Sequence, residues 1–337
     1  MHASVVPVIS RRAVLLIGGI GALSGCAPSP VVVGSPAAGS ASPAQLDAHR
    51  REAVREETSL AALNSSCASG AAAWSAPAGF GEWCAAAAKA HAHHATVLAQ
   101  ADPLGGVNAD HSPLMASPSP SAPAGGPSGL AEALVALRTG YETLAASHLG
   151  VALAQTEPVT AMLWASLYCY ADAGRQLVTA HGDGASFAVP TGEGSAVPAR
   201  IVLGSRDETL QVLLSRVDAL RFGLQAMIGR SGDTQTQMVD RVAAVEELRN
   251  SIATQLASAS ARPSAPAIAY TLPGDVNDPS SWPQIWGKLE SGVLAAWVPV
   301  AATSTGTERS KALASMAAQS LQAPSHGVAL SWWPGWV

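Results

Sequence analysis

Apolar residues recur at steps of three and four along nearly the whole chain, and no convincing period-two alternation appears. That pattern restricts the fold to helices packed on helices. The cleanest stripe is Leu130, Leu134, Leu137, Tyr141, Leu144, His148 and Val151, which falls on one face of a helix over 129–155. Before it, 44–66 reads as an exposed helix with Arg50, Arg51, Glu52, Arg55 and Glu56 on its charged face. Residues 79–101 follow Phe80, Trp83, Ala87, His91, His94 and Leu98. Pro158 suits a first helical turn, and 158–181 carries Leu163, Leu167, Tyr170 and Leu177.

The second half repeats the count. Asp207 and Glu208 open a helix with Leu210, Leu213, Val217, Leu220, Leu224 and Met227. Asp233 caps the next, with Met238, Val242, Val245, Leu248, Ile252 and Leu256. Helices over 281–302 and 306–322 complete the set. Pro/Gly/Ser-rich stretches at 102–128 and 182–206 show no packing pattern and read as linkers, and 259–280 reads as a loop. The expected fold is all-α, with two consecutive four-helix bundles at 44–181 and 207–337. A length of 337 residues suits two domains.

The N-terminus reads as an address. Ser10-Arg11-Arg12 precedes an 11-residue apolar run, Ala13 to Leu23, too short to span a bilayer. The paired arginines resemble a twin-arginine (Tat) signal. Leu23-Ser24-Gly25-Cys26 resembles the lipobox of bacterial lipoproteins. That resemblance implies a signal peptide over 1–25, acylation of the Cys26 thiol and a protein anchored in the cell membrane on its extracytoplasmic face. The lipid bilayer is then one partner, and two acyl chains hold stably where one does not. Residues 26–43 form a disordered Pro/Ser/Gly/Ala/Val tether.

A net charge of −5 argues against nucleic acid as partner. Charged residues make up 13%, against about 25% in typical soluble proteins, which fits bundles with narrow exposed faces joined by uncharged linkers. The nucleophile elbow Gly-x-Ser-x-Gly, the phosphate loop Gly-x-x-x-x-Gly-Lys and His-Glu-x-x-His do not occur, nor does a dinucleotide fingerprint after a strand. A hydrolase, NTPase or dehydrogenase is therefore not expected.

A further resemblance rests on Ala269-Tyr270-Thr271-Leu272-Pro273, Asn277-Asp278-Pro279 and Leu289-Glu290-Ser291-Gly292-Val293-Leu294-Ala295-Ala296-Trp297. With these, 207–337 resembles a ferritin-like domain of unknown function found in secreted and lipid-anchored bacterial proteins. The resemblance implies a ferritin-like bundle and, in its first helix, a carboxylate followed by aromatics. Val217 and Phe222-Gly223 occupy that stretch here. Ferritin-like folds also suggest a di-iron site with Glu-x-x-His pairs. No histidine of this chain has Glu three positions before it.

One cluster carries possible chemistry. His91, His94 and His148 fall on the apolar stripes of two helices, with Tyr141 and Tyr170 alongside. Helical rise places Tyr141 or Glu142, and Glu56 or Glu57, near their level. Two readings follow: histidines bonded to carboxylates or carbonyls across the bundle, or imidazoles sharing Zn or Cu. Three imidazoles converging within about 5 Å on a carboxylate would favour the metal. Cys67 and Cys84 lie at one end of a helical hairpin and, outside the membrane, form a candidate disulfide. Cys169 is left as a buried thiol. Six tryptophans, Trp282, Trp286, Trp297, Trp332, Trp333 and Trp336, crowd one region. They form either core, with the tail folded back over the bundle, or an aromatic platform for a ligand. The expected role is non-catalytic binding or scaffolding at the envelope, with an envelope protein as partner and no cofactor. The alternative is metal binding, storage or oxidation at the histidine cluster.

Overall fold

The computed structural model describes residues 46–108, 112–114, 126–181, 187, 197–230 and 235–336. Arg11, Arg12, Cys26 and the tether lie outside the described residues. Among the described residues the regular structure is eight α-helices and short 3-10 turns, with no strand. No helix there is long and apolar enough to cross a membrane.

The helices are α1 Ala48–Gly70, α2 Phe80–Ala99, α3 Leu130–Ala154, α4 Pro158–His181, α5 Arg206–Ile228, α6 Gln235–Ser258, α7 Trp282–Thr303 and α8 Gly306–Gln319. Local chemistry sets their starts. Asp47 accepts a hydrogen bond from the Arg50 amide at 2.8 Å, so α1 begins four residues later than its stripe suggests. Ser205 and Glu208 form a reciprocal capping box at α5. Helix α8 stops at Gln319, three residues short of the expected end, and the chain turns toward Pro324.

Both halves share one arrangement. In the first, α1 packs on α2 and α3, and α3 on α4; in the second, α5 packs on α6 and α7, and α7 on α8. Tyr170 against His91 and His94 closes the first ring between α4 and α2. Arg241 to Gln319, at 3.0 Å, closes the second between α6 and α8. In each half the hairpins are short, and a long connection (100–129 and 259–281) joins one hairpin to the next.

The two sets of helices share a continuous core, and α4 lies against α7 and α8. Arg309 bolts this seam. Its guanidinium donates to the carbonyls of Ala301 (3.2 Å), Ala302 (3.1 Å) and Ala152 (3.2 Å), and to that of Gln155. These are carbonyls at the C-terminal ends of α7 and α3, where no intrahelical donor remains. The stretches read as linkers also pack. Leu104, Phe187 and Ile201 are buried, and the Arg200 amide donates to the Leu104 carbonyl at 2.8 Å. Single apolar residues among Gly and Pro carry no periodicity, so their burial left no sequence signal. Arg309→Ala strands at least two buried acceptors and is expected to cost about 3 kcal/mol, read as a lower urea midpoint.

Candidate metal centre

Glu57 lies on the core face of α1, one turn from Ala53 and Val54 on one side and from Leu60 and Ala61 on the other. A carboxylate there must find partners inside the protein. His91 and His94, three apart on α2, present the same face, and His148 arrives from α3. All four residues are fully buried. Glu57 Oε2 lies 2.6 Å from His91 Nδ1 and 3.4 Å from His94 Nδ1, and Glu57 Oε1 lies 2.9 Å from His148 Nε2. The structure therefore brings together all three histidines named from sequence. Of Glu56, Glu57 and Glu142, Glu57 is the one that meets them.

Outer partners fix the rings. His91 Nε2 is 3.2 Å from the Tyr141 hydroxyl, which also receives a long hydrogen bond from Asn64 Nδ2 at 3.4 Å. His94 Nε2 is 2.7 Å from the backbone carbonyl of Trp332. Tyr170 walls both imidazoles, with ring centroids 5.5 and 5.0 Å away. Trp333 stands edge-on to His94 at 4.6 Å, and Trp164 flanks His148 at 5.5 Å. His148 Nδ1 is buried without a partner.

The electrostatics follow from this crowding. Burial pushes the Glu57 carboxyl up, but His94 and His91, with hydrogen bonds from His148 and His91, outweigh it and hold the group well below the usual range. Burial lowers His91 more than Glu57 restores. Burial, with Tyr170 and Cys84 nearby, raises Tyr141 well above an ordinary phenol, so it stays protonated.

A carbonyl oxygen only accepts, so His94 Nε2 carries the hydrogen and a neutral His94 turns the Nδ1 lone pair toward Glu57. Lone pair would then face carboxylate, an arrangement that a cation between them relieves, whereas a doubly protonated His94 would donate Nδ1–H to Glu57 Oε2. A charge-assisted N–H···O bond is about 2.7–2.9 Å long. Two ligands of one tetrahedral ion, each about 2.0–2.1 Å from it, stand about 3.3–3.4 Å apart. The observed 3.4 Å matches the second geometry. One ligand atom each from Glu57, His91 and His94 lies within 4.8 Å of the others. The 2.6 Å pair at His91 is a hydrogen-bond distance, and an ion there would replace that proton and widen the pair by under about 1 Å.

The second bundle has its own buried carboxylate, differently satisfied. Glu290 accepts from Arg241 through both oxygens (2.8 and 2.7 Å), from Trp286 Nε1 (2.8 Å) and from Gln319 Nε2 (2.7 Å). An always-charged fork and neutral donors make a closed structural hub. Asp218, next to Val217 on α5, is a further buried carboxylate and is bonded to Arg249 at 2.7 Å. Cys67, Cys84 and Cys169 are free and buried; Cys67 and Cys84 are hydrogen-bonded to each other. Trp282, Trp286, Trp297, Trp333 and Trp336 are buried, which is the packing reading of the aromatic cluster. Sequence reasoning tied that tail to its own bundle and missed that Trp332 and Trp333 reach α2. A backbone carbonyl leaves no trace in side-chain spacing.

Residues 218–336 match the family model described as Domain of unknown function (DUF4439), 119 of the 337 residues. No curated protein matches the chain, and no solved structure does. The Glu57 centre lies outside the matched segment.

Helix α4 makes room for Tyr141 at Gly174, where a Cβ would stand 2.3 Å from Tyr141 Cε1. Gly174→Ala is expected to cost about 1–3 kcal/mol by overpacking and to push the phenol off His91. Thermal denaturation and the His91 ring resonances in NMR check both effects.

Proposed function

We propose that this protein is lipid-anchored at the cell envelope and that its helical body holds one divalent transition-metal ion between Glu57, His91 and His94. The observation that carries the metal reading is the 3.4 Å approach of His94 Nδ1 to Glu57 Oε2, with His94 Nε2 committed to the Trp332 carbonyl. Two imidazoles and a carboxylate in a tetrahedral setting suit zinc first and copper second. All these side chains are sealed from solvent, which suits retention of an ion rather than turnover of a substrate. The body thus remains a binding module, and scaffolding with an envelope protein stays compatible with it. Full-length protein is expected to retain about one metal equivalent through gel filtration. His91→Ala/His94→Ala should retain none. An unaltered protein without stoichiometric metal, even after exposure to zinc and copper, contradicts the reading.

The anchoring reading is supported by Arg11-Arg12, the apolar run and Leu23-Ser24-Gly25-Cys26. Tat export of a folded, ion-loaded body fits it. In cell fractionation, Cys26→Ser should move the protein from the membrane to the soluble fraction. The ferritin-like reading is supported by the single long crossover between hairpins in each half. In an oxidising extracytoplasmic compartment, an oxidant that takes up two electrons and two protons joins the neighbouring thiols Cys67 and Cys84 as a disulfide. Of the three described cysteines, exported protein in denaturant should then show one reactive thiol, and three would contradict the pairing.

A further inference from the structure

We infer that the segment Ser331–Trp336 is the closing element of the Glu57 centre, with the Trp332 carbonyl as the positioning group that turns His94 toward the ion. The inference rests on the metal reading above and assigns the site its second layer and its route of exchange. Three observations carry it. First, the Trp332 carbonyl is 2.7 Å from His94 Nε2. This acceptor fixes the Nε2–H tautomer and leaves Nδ1 free to ligate, the role that outer-shell acceptors play for metal-bound imidazoles. Second, Trp333 is fully buried edge-on against His94, and Trp332 and Trp333 both flank His93, so the segment covers the α2 side of the centre. Third, the docked segment is held imperfectly. The Trp333 and Trp336 indole nitrogens are both buried without an acceptor. Undocking returns both N–H groups to water, so release is easier than the apolar burial alone suggests.

The segment lies within the DUF4439 match at 218–336, whereas the ligands lie outside it. Gly335 makes the docking possible. It has φ +91°, and a Cβ there would stand 2.5 Å from Val298 Cβ on α7. The competing route is the cleft between α1 and α3, but buried Leu60 and Leu144 form its floor.

The test compares full-length protein with Gly335→Ala and with a chain lacking residues 331–337. Zinc affinity is measured by chelator competition, zinc release by transfer to excess chelator, and the site by the visible spectrum of the cobalt(II) form. Both variants are expected to bind zinc about 10–100-fold more weakly, to release it correspondingly faster and to show an altered cobalt spectrum. Circular dichroism identifies any variant that fails to fold, and Gly335→Ala then carries the comparison. Unchanged affinity, release and spectrum in a folded variant overturn the inference and leave the metal reading intact. No zinc or cobalt bound by the unaltered protein overturns the metal reading itself, and this inference with it.

Discussion

The charge on Glu57, enclosed among apolar side chains of α1, has to be neutralised from within the protein, and the first bundle is organised around how that happens. Partners come from α2 and α3, the two helices that flank α1. The outer nitrogens of His91 and His94 in turn engage Tyr141, which Gly174 on α4 accommodates, and the Trp332 carbonyl. One carboxylate therefore links three helices directly and reaches the fourth helix and the C-terminal segment at one remove. Glu290 in the second bundle faces the same requirement and meets it with a guanidinium fork. The difference matters chemically. Arginine neutralises permanently and offers no lone pair, whereas imidazoles offer lone pairs and leave the compensating cation open.

The two halves also meet along a shared seam. Arg309 joins the ends of α3 and α7, and Gln176 on α4 donates to the Ala317 carbonyl on α8 at 3.0 Å. The segment Ser331–Trp336 carries second-half residues onto α2. The centre is thus built from first-half side chains and finished by second-half backbone. Residues 187 and 197–201, which join the halves in sequence, pack against the first-half loops rather than hanging free.

Sequence periodicity made the all-α fold and the eight helices legible, because a stripe such as Leu130 to Val151 has no other physical use. It also placed His91, His94 and His148 on core faces and narrowed their carboxylate to Glu56, Glu57 or Glu142. Choosing between neighbours needed the rotation of α1, which Ala53, Val54 and Leu60 set only when packed. The Trp332 carbonyl, the Arg309 bolt and burial of Leu104 and Phe187 were not legible. Each depends on a long-range meeting of backbone or isolated side chains that leaves no local repeat. The burial of Asp218 was not legible either, because its partner Arg249 comes from α6, 31 residues further along the chain.

An anomalous difference map from a crystal of metal-replete protein, recorded across the zinc edge, tests the account at its centre. The account predicts one peak about 2.0–2.1 Å from Glu57 Oε2, His91 Nδ1 and His94 Nδ1, with His94 Nε2 still on the Trp332 carbonyl. A map with no peak there, and with Glu57 keeping its 2.6 Å approach to His91, would contradict it.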